Sequence, residues 1–304
     1  MEESPVAEPA PRGAAHTPRA FLVMLARENL LLALGMGAIT LVAQVMEELP
    51  AEPLSPLIVA LVFYAVYSLD RAADADADGL THPERARFSR RNARRMRAAS
   101  LAAYALALVL AATRGGWAVA VALLPLVALL LYSFRIVPPR LARHLGFARI
   151  KEVLVLKNVW VAATLAGTAT LLPITNADAT PRWPAAAAMG GFLFGRWWLN
   201  TLVFDLRDEA GDRANGLRTV PVVLGRARTL RLLHAANVAF AAATLAVPLL
   251  GWARPLFALL AASSVYAWIY LRAVAAGGDP HFLCDVVADG ELLLLAVLVL
   301  LATV

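Results

Sequence analysis

Long apolar stretches alternate with short polar segments along most of the chain. Nine of these stretches have a length close to what is needed to cross a hydrocarbon core of about 30 Å as a helix. They cover residues 20–46, 56–74, 98–113, 117–134, 151–172, 183–206, 229–250, 255–274 and 284–304. The pattern predicts an all-α integral membrane protein with nine transmembrane helices.

Residues 1–18 break this pattern, because they are rich in Pro, Ala and Glu and lack apolar periodicity. Such a composition is typical of a disordered segment. We therefore expect a disordered cytoplasmic tail over residues 1–18 and a single membrane domain over residues 19–304.

Composition agrees with a membrane protein, since 60% of the 304 residues are hydrophobic. The single cysteine, Cys284, excludes an internal disulfide and a cysteine-based metal cage. Arginines concentrate in the segments after the even-numbered stretches, and the densest group lies in residues 85–97. By the positive-inside rule, these segments and the N-terminus face the cytoplasm. Binding to anionic lipid headgroups accounts for most of these arginines.

Acidic residues gather at the cytoplasmic ends of two of the stretches. Asp205, Asp208 and Asp212 follow at i, i+3 and i+7, which places them on one helical face if the helix continues that far. Asp70 and Asp74 end the second stretch with the same kind of spacing. Such carboxylates repel one another unless a cation lies among them, and Mg²⁺ prefers oxygen ligands. The alternative interpretation is a solvated acidic helix end balanced by nearby arginines.

Only two of the 28 basic residues are lysines, Lys151 and Lys157, and both lie at the cytoplasmic start of the fifth stretch. In a regular helix, side chains six residues apart point about 120° away from each other, so the two lysines have different roles. Lys157 lies deeper in the apolar zone, where an ammonium group needs an anionic partner. A diphosphate or one of the aspartate groups can supply that partner.

Polar residues near other helix ends suggest a second pocket. Arg27 and Asn29 lie in the first stretch, and an intramembrane polar pair rarely faces lipid, so both are candidates for lining a pocket. Asp285 and Asp289 begin the ninth stretch. They either shape one side of a cleft or cap the helix.

The stretch from Asp205 to Gly225, DLRDEAGDRANGLRTVPVVLG, resembles the second aspartate-rich motif of the UbiA superfamily of intramembrane prenyltransferases. The segment from Asp70 to Asp74, DRAAD, resembles the second half of that family's first motif. A third segment, with Tyr132 and Ser133 followed by the two lysines, is similar to the family's central region. The resemblance covers all nine stretches in order.

The resemblance implies a nine-helix bundle that moves a prenyl group from a prenyl diphosphate to an acceptor with the help of Mg²⁺. The implied metal ligands are Asp70, Asp74 and the accessory Asp78 for one ion, and Asp205, Asp208 and Asp212 for the other. The implied diphosphate contacts are Arg71, Tyr132, Ser133, Lys151, Lys157, Asn158 and Arg218. In this interpretation the candidates for the acceptor pocket are Arg27, Asn29 and Asp289, and Asp285 is a further candidate beside Asp289. The catalytic set is Asp70, Asp74, Asp208, Asp212 and Lys157. We expect the bilayer and these small molecules as partners, no nucleic acid, a bacterial inner membrane location and an active site on the cytoplasmic side.

The sequence departs from the family pattern at the start of the first motif. Val66 and Tyr67 occupy the positions where the family usually has Asn-Asp. The second substrate therefore stays open. The acceptor is an aromatic compound or another quinone or tetrapyrrole precursor. Alternatively, the protein is a terpene cyclase, which needs no acceptor. A non-catalytic relative and a transporter are further alternatives, although acids clustered at one membrane face disfavour the midplane site of a transporter.

Overall fold

The computed structural model describes residues 17–73, 83–133, 150 and 153–303, and its regular elements in these ranges are all helical. Eleven of the helices are labelled in chain order here. They are α1 (Pro18–Arg27), α2 (Leu30–Met46), α3 (Leu54–Ala73), α4 (Pro83–Ala112), α5 (Gly116–Ser133), α6 (Leu156–Asn176), α7 (Trp183–Ala214), α8 (Val220–Leu224), α9 (Arg226–Leu249), α10 (Ala262–Ala275) and α11 (Asp289–Leu301). A 3₁₀ segment, Pro255–Ala261, leads directly into α10. A single turn, Pro280–Phe282, and a π-helical segment, Leu283–Ala288, lead into α11.

The helices confirm an all-α membrane protein. Within the described ranges, five helical segments are long and apolar enough to cross a membrane by length and composition. They are residues 54–72, 87–112, 156–176, 226–249 and 255–275. The α1–α2 pair adds a sixth if it counts as one bent span, and α5 is a shorter apolar helix. The predicted count of nine spans is therefore not confirmed.

The first apolar stretch is not one straight helix. The chain bends by 84° between α1 and α2. Asn29 sits at the bend with a left-handed backbone conformation, φ 58°, which interrupts the helical hydrogen bonds. The polar run Arg27–Asn29 thus marks a break instead of a polar pair inside a span. Thr17 accepts a hydrogen bond from the amide of Ala20 and caps α1, which begins at Pro18, and residues 1–16 of the predicted tail lie outside the described residues.

Two further predicted helix starts are wrong. The third stretch was expected to begin near residue 98, but α4 already begins at Pro83, because the arginines continue the helix instead of forming a loop. The fifth stretch was expected to begin near Lys151, but α6 begins at Leu156 after Val155, whose positive φ of 67° ends the preceding turn. Lys157 therefore lies in the first turn of its helix and not two turns inside it.

Helix α2 lies at the centre of the bundle, where it packs against α3, α6 and α11. Its Met36, Ile39 and Val42 are fully buried. The approach to α3 is close at Gly37, where a Cβ atom would lie 2.9 Å from the carbonyl oxygen of Pro56. This packing brings the C-terminal ends of α3 and α7 and the starts of α2, α6 and α11 around one cavity.

Candidate active site

The cavity has a volume of about 480 Å³ and combines a polar and an apolar wall. The polar lining residues are Asn29, Tyr67, Asp70, Arg71, Tyr132, Lys157, Asn158, Asn200, Asp205, Arg207, Asp208, Asp212, Asn215, Asp285 and Asp289. Large apolar side chains line the parts of α3, α6 and α7 further from these helix ends, among them Phe63, Leu165 and Trp197. The site can therefore receive a molecule with a charged head and an apolar tail.

Asp205 is held by two side chains from the start of α6. Lys157 Nζ lies 2.7 Å from Asp205 Oδ1, and Asn158 Nδ2 donates to Asp205 Oδ2 over 3.1 Å. The lysine and aspartate side chains are only 14% and 9% exposed, so little water screens this ion pair. The predicted need of Lys157 for an anionic partner is confirmed, and the partner in this structure is an aspartate of the second motif.

Arg207 forms a bridge between the second motif and the π-helical segment that leads into α11. Its Nε and Nη2 donate to the two carboxylate oxygens of Asp208 at 2.8 and 2.9 Å, and its Nη1 donates to Asp285. The guanidinium also stacks on the Phe204 ring, 4.7 Å from the ring centroid. The sequence analysis missed Arg207, because its partner Asp285 is distant in the chain.

Asp212 completes the second motif at the end of α7. Since α7 continues to Ala214, all three aspartates of the motif are helical, and all three line the cavity. The Asp212 Oδ2 atom is buried and makes no hydrogen bond with any described residue. A buried carboxylate oxygen without a donor suits a hard cation such as Mg²⁺.

The described residues contain no group of three His, Cys, Asp or Glu side chains close enough to hold a metal ion. In the first motif, Asp70 lines the cavity, whereas Asp74 and Asp78 lie outside the described residues. The carboxylate oxygens that line the cavity are of the kind that binds Mg²⁺, and the buried Oδ2 atom of Asp212 is the clearest example.

Arg71 links the first motif to the bend between α1 and α2. Its Nη1 donates to the carbonyl oxygens of Ala26 and Arg27, at 3.1 and 2.6 Å. Asn29 at the same bend donates from Nδ2 to the Ser68 hydroxyl of α3 at 2.9 Å. The bend therefore has a structural role, because its contacts with Arg71 and Ser68 hold the end of α3, where Asp70 lies.

The remaining predicted site residues divide into three groups. Tyr132, Asn158, Asn29 and Asp289 line the cavity. Arg27 and Arg218 do not line it and have exposed side chains. Arg27 is the last residue of α1, and Arg218 follows the turn at Gly216 beyond the end of α7. Lys151 and the side chain of Ser133 lie outside the described residues.

Asn200 and Asn215 also line the cavity, and the sequence analysis did not single them out. Asn200 is buried on α7, and its Oδ1 makes no hydrogen bond with a described residue. The feature of the sequence that could have identified Asn200 is its position as a lone amide, five residues before Asp205, in a mostly apolar run. Val66 and Tyr67, which replace the usual Asn-Asp, line the cavity as well.

A family model described as the UbiA prenyltransferase family matches residues 22–281. No curated protein matches the sequence significantly. A UbiA homolog from Archaeoglobus fulgidus bound to GPP and Mg²⁺ is 18% identical, with a TM-score of 0.56, 93% of this chain covered and 96% of that chain. The apo structure of a UbiA homolog from Aeropyrum pernix K1 is 15% identical, with a TM-score of 0.62 and coverages of 90% and 97%.

A third solved structure concerns digeranylgeranylglyceryl phosphate synthase in membranes. It is 15% identical, with a TM-score of 0.55, and the alignment covers 92% of this chain and 95% of that chain. At these identities the likeness shows the fold. It confirms the all-α membrane architecture that the sequence predicted.

Proposed function

The chain belongs to the UbiA prenyltransferase family, and from this premise we propose that it transfers a prenyl group from a prenyl diphosphate to a small-molecule acceptor inside the membrane. The observation that carries the proposal is the meeting of three α7 aspartates and Lys157 in one cavity with an apolar wall. The polar wall receives the diphosphate, and the apolar wall receives the prenyl chain. The arginine distribution supports a site on the cytoplasmic side of a bacterial inner membrane.

Mg²⁺ is the cofactor that the donor set fits. Asp208 and Asp212, with Asp205, would hold one ion, and Asp70 with Asp74 and Asp78 would hold the other. The UbiA homolog from Archaeoglobus fulgidus was solved with GPP and with DMAPP, each time together with Mg²⁺. When bound, the ion neutralises charge that develops on the departing diphosphate.

The chain's own cations bind and orient the diphosphate. Lys157 is held in place by Asp205, so its ammonium group is positioned before the substrate arrives. Arg71 and Arg207 also line the cavity, each fixed by hydrogen bonds to the protein. Preorganised cations of this kind stabilise the leaving group without reorganising during the reaction.

The apolar wall protects the reacting carbon. Phe63, Leu165 and Trp197 line the cavity together with Trp160 and Phe204, and these side chains exclude water from the bound prenyl chain. Exclusion of water matters because an allylic cation reacts with water as readily as with an acceptor. The wall therefore favours transfer over hydrolysis.

The proposal is tested by turnover of labelled geranylgeranyl diphosphate with purified protein, Mg²⁺ and membrane extract, with identification of the product by mass. We expect Asp208→Ala and Asp212→Ala each to reduce turnover by about a hundredfold or more while the protein stays folded in detergent, because each change removes an oxygen ligand. Glu209→Gln is the matched control, since Glu209 lies on α7, pairs with Arg213 and does not line the cavity. Full activity in either alanine variant at ordinary Mg²⁺ would refute the metal assignment.

A metal-dependent binding measurement separates the proposal from a transporter or a non-catalytic relative. Isothermal titration with geranylgeranyl diphosphate should show tight binding only when Mg²⁺ is present. Consumption of the diphosphate without any acceptor, with a cyclic hydrocarbon as the product, would show a cyclase instead.

A further inference from the structure

Two carboxylates share one guanidinium group at the polar wall of the cavity. Arg207 of α7 donates from Nε and Nη2 to the Oδ1 and Oδ2 atoms of Asp208, at 2.8 and 2.9 Å. Its Nη1 atom donates to Asp285 of the π-helical segment, 78 residues further along the chain. All three residues line the cavity. The central aspartate of the second motif therefore belongs to a network of three charged side chains.

The burial of Arg207 means that its charge needs an anionic partner. Its side chain is 5% exposed, whereas the side chains of Asp208 and Asp285 are 29% and 25% exposed. A buried cation that loses its anionic partners destabilises a protein strongly, because nothing then compensates for the loss of water around the charge. The two more exposed carboxylates supply the compensation in this structure.

The π-helical segment holds Asp285 in place against two other helices. The Tyr266 hydroxyl of α10 donates to the Val287 carbonyl oxygen at 3.0 Å. The Cys284 thiol donates to the Val203 carbonyl oxygen of α7 at 3.8 Å. Single π-helical turns inside α-helices are rare and frequently occur at functional sites. Asp285 is thus a fixed anchor for the Nη1 end of the guanidinium.

Arg207 and a metal ion compete for the same carboxylate. An ionised carboxylate has about four lone-pair positions, and the guanidinium takes one on each oxygen of Asp208. Its positive charge also opposes a cation at the remaining positions. If Asp208 were the only anionic partner of Arg207, the two charges would cancel, and Asp208 would contribute no net charge to a metal site.

We propose that Asp285 is a positioning residue that sets the affinity of the second aspartate motif for Mg²⁺, because it holds Arg207 and leaves Asp208 able to bind the ion. With Asp285 present, two carboxylates share one positive charge, so one negative charge is left for the metal. The inference rests on the proposed metal site and adds a residue from outside both aspartate motifs.

The test measures the binding of Mn²⁺, which takes the same kind of oxygen ligands as Mg²⁺ and is paramagnetic. The purified full chain is titrated in detergent without a diphosphate, and the unbound ion is quantified by electron paramagnetic resonance. Asp285→Asn should bind Mn²⁺ about tenfold more weakly than the wild type, the low end of what one hydrogen bond to a charged group gives. Glu209→Gln, which removes a charge from α7 outside the cavity, should bind Mn²⁺ as the wild type does.

A double variant distinguishes an anchor from a metal ligand. Adding Arg207→Met to Asp285→Asn removes the competing cation and restores the net charge of the wild-type site. The affinity for Mn²⁺ should therefore return to the wild-type value. If Asp285 itself bound the ion, the double variant would stay as weak as Asp285→Asn. Arg207→Gln replaces Arg207→Met if the latter does not fold, because it removes the same charge and keeps a polar side chain.

Diphosphate binding separates this role from a merely structural one. In the presence of EDTA, Asp285→Asn should bind geranylgeranyl diphosphate at least as tightly as the wild type, because it removes an anion from the cavity wall. A general disturbance of the site would weaken the binding of both ligands. Asp285→Glu restores the carboxylate and should recover most of the Mn²⁺ affinity.

The failures of the two proposals are distinguishable. No binding of Mn²⁺ by the wild type would refute the metal assignment of the proposed function, and the role of Asp285 with it. Binding by the wild type with an unchanged affinity in Asp285→Asn would overturn only the role of Asp285. A double variant as weak as Asp285→Asn would overturn it as well, and so would a loss of both Mn²⁺ and diphosphate binding in Asp285→Asn.

Discussion

The ion pair of Arg196 and Glu291 yields the sharpest stability prediction. Both side chains are buried, with 2% and 4% of their surfaces exposed, and they join α7 to α11. Arg196 also donates from Nη1 to Asn237 Oδ1 of α9 at 2.7 Å, and the Tyr270 hydroxyl of α10 donates to Glu291 at 3.3 Å. One guanidinium and one carboxylate thereby connect four helices.

The expected magnitude follows from these contacts. Arg196→Met leaves the Glu291 carboxylate buried without its cation, and removing one partner of a buried pair costs about 3–5 kcal/mol. Adding Glu291→Met removes the stranded charge. The double variant then loses only the hydrogen bonds that the pair made to uncharged neighbours, such as the one that Arg196 donates to Asn237, at about 1–3 kcal/mol in total. The double variant should therefore be more stable than the single one.

The free energy of unfolding is measured in mixed micelles by titration with sodium dodecyl sulfate, followed by tryptophan fluorescence. Trp197, next to Arg196 in the chain, is buried and reports on this region. Arg213→Met is the matched control, because Arg213 lies on the same helix in an exposed i,i+4 pair with Glu209. Such pairs contribute about 0.3–0.5 kcal/mol.

Two results would refute the reasoning. If Arg196→Met were as stable as the control, the ion pair would contribute nothing to the bundle. If the double variant were as unstable as Arg196→Met, the loss would come from packing or from the other helix contacts instead of from an uncompensated charge.

Three further predictions follow. Lys157→Ala should raise the dissociation constant of geranylgeranyl diphosphate more than Lys151→Ala, because Lys157 is preorganised in the cavity; titration at matched Mg²⁺ checks this, and the reverse order would contradict it. Gly37→Ala should lower stability by about 1–3 kcal/mol, since its Cβ would lie 2.9 Å from a carbonyl oxygen of α3. Gly116→Ala, with open space around it, is the control, and equal unfolding midpoints would speak against the clash. Deletion of residues 1–16 should leave membrane insertion unchanged, which fractionation of cell membranes would test.

Local patterns in the sequence predicted much of the helical architecture and part of the site. The spacing of Asp205, Asp208 and Asp212 needs only a continuous helix to bring them to one face, and α7 supplies that helix to Ala214. The cost of an unpaired ammonium in an apolar zone predicted a partner for Lys157, and Asp205 is that partner. The aspartate spacing depends on residues close in the chain, and the need of Lys157 for a partner depends on its apolar surroundings. The periodicity and composition of the sequence can therefore predict both.

Helix ends were harder to predict, because they depend on backbone conformations that the apolar pattern does not encode. The bend at Asn29 and the late start of α6 after Val155 both involve left-handed backbone at residues other than glycine. Arg27, at the end of α1, and Arg218, in the turn after α7, both have exposed side chains. Exposure of this kind depends on where each helix ends, which the apolar pattern does not encode.

The sequence by itself determined that the chain is a helical membrane protein of the UbiA family with carboxylates and a lysine near helix ends. Only the tertiary structure decided which of these groups meet. Arg207 contacts Asp285 across 78 residues, and Arg196 contacts Glu291 across 95. Such pairs form because the bundle brings the π-helical segment that leads into α11 against α7, and the packing of distant segments is a property of the whole chain and not of any local pattern.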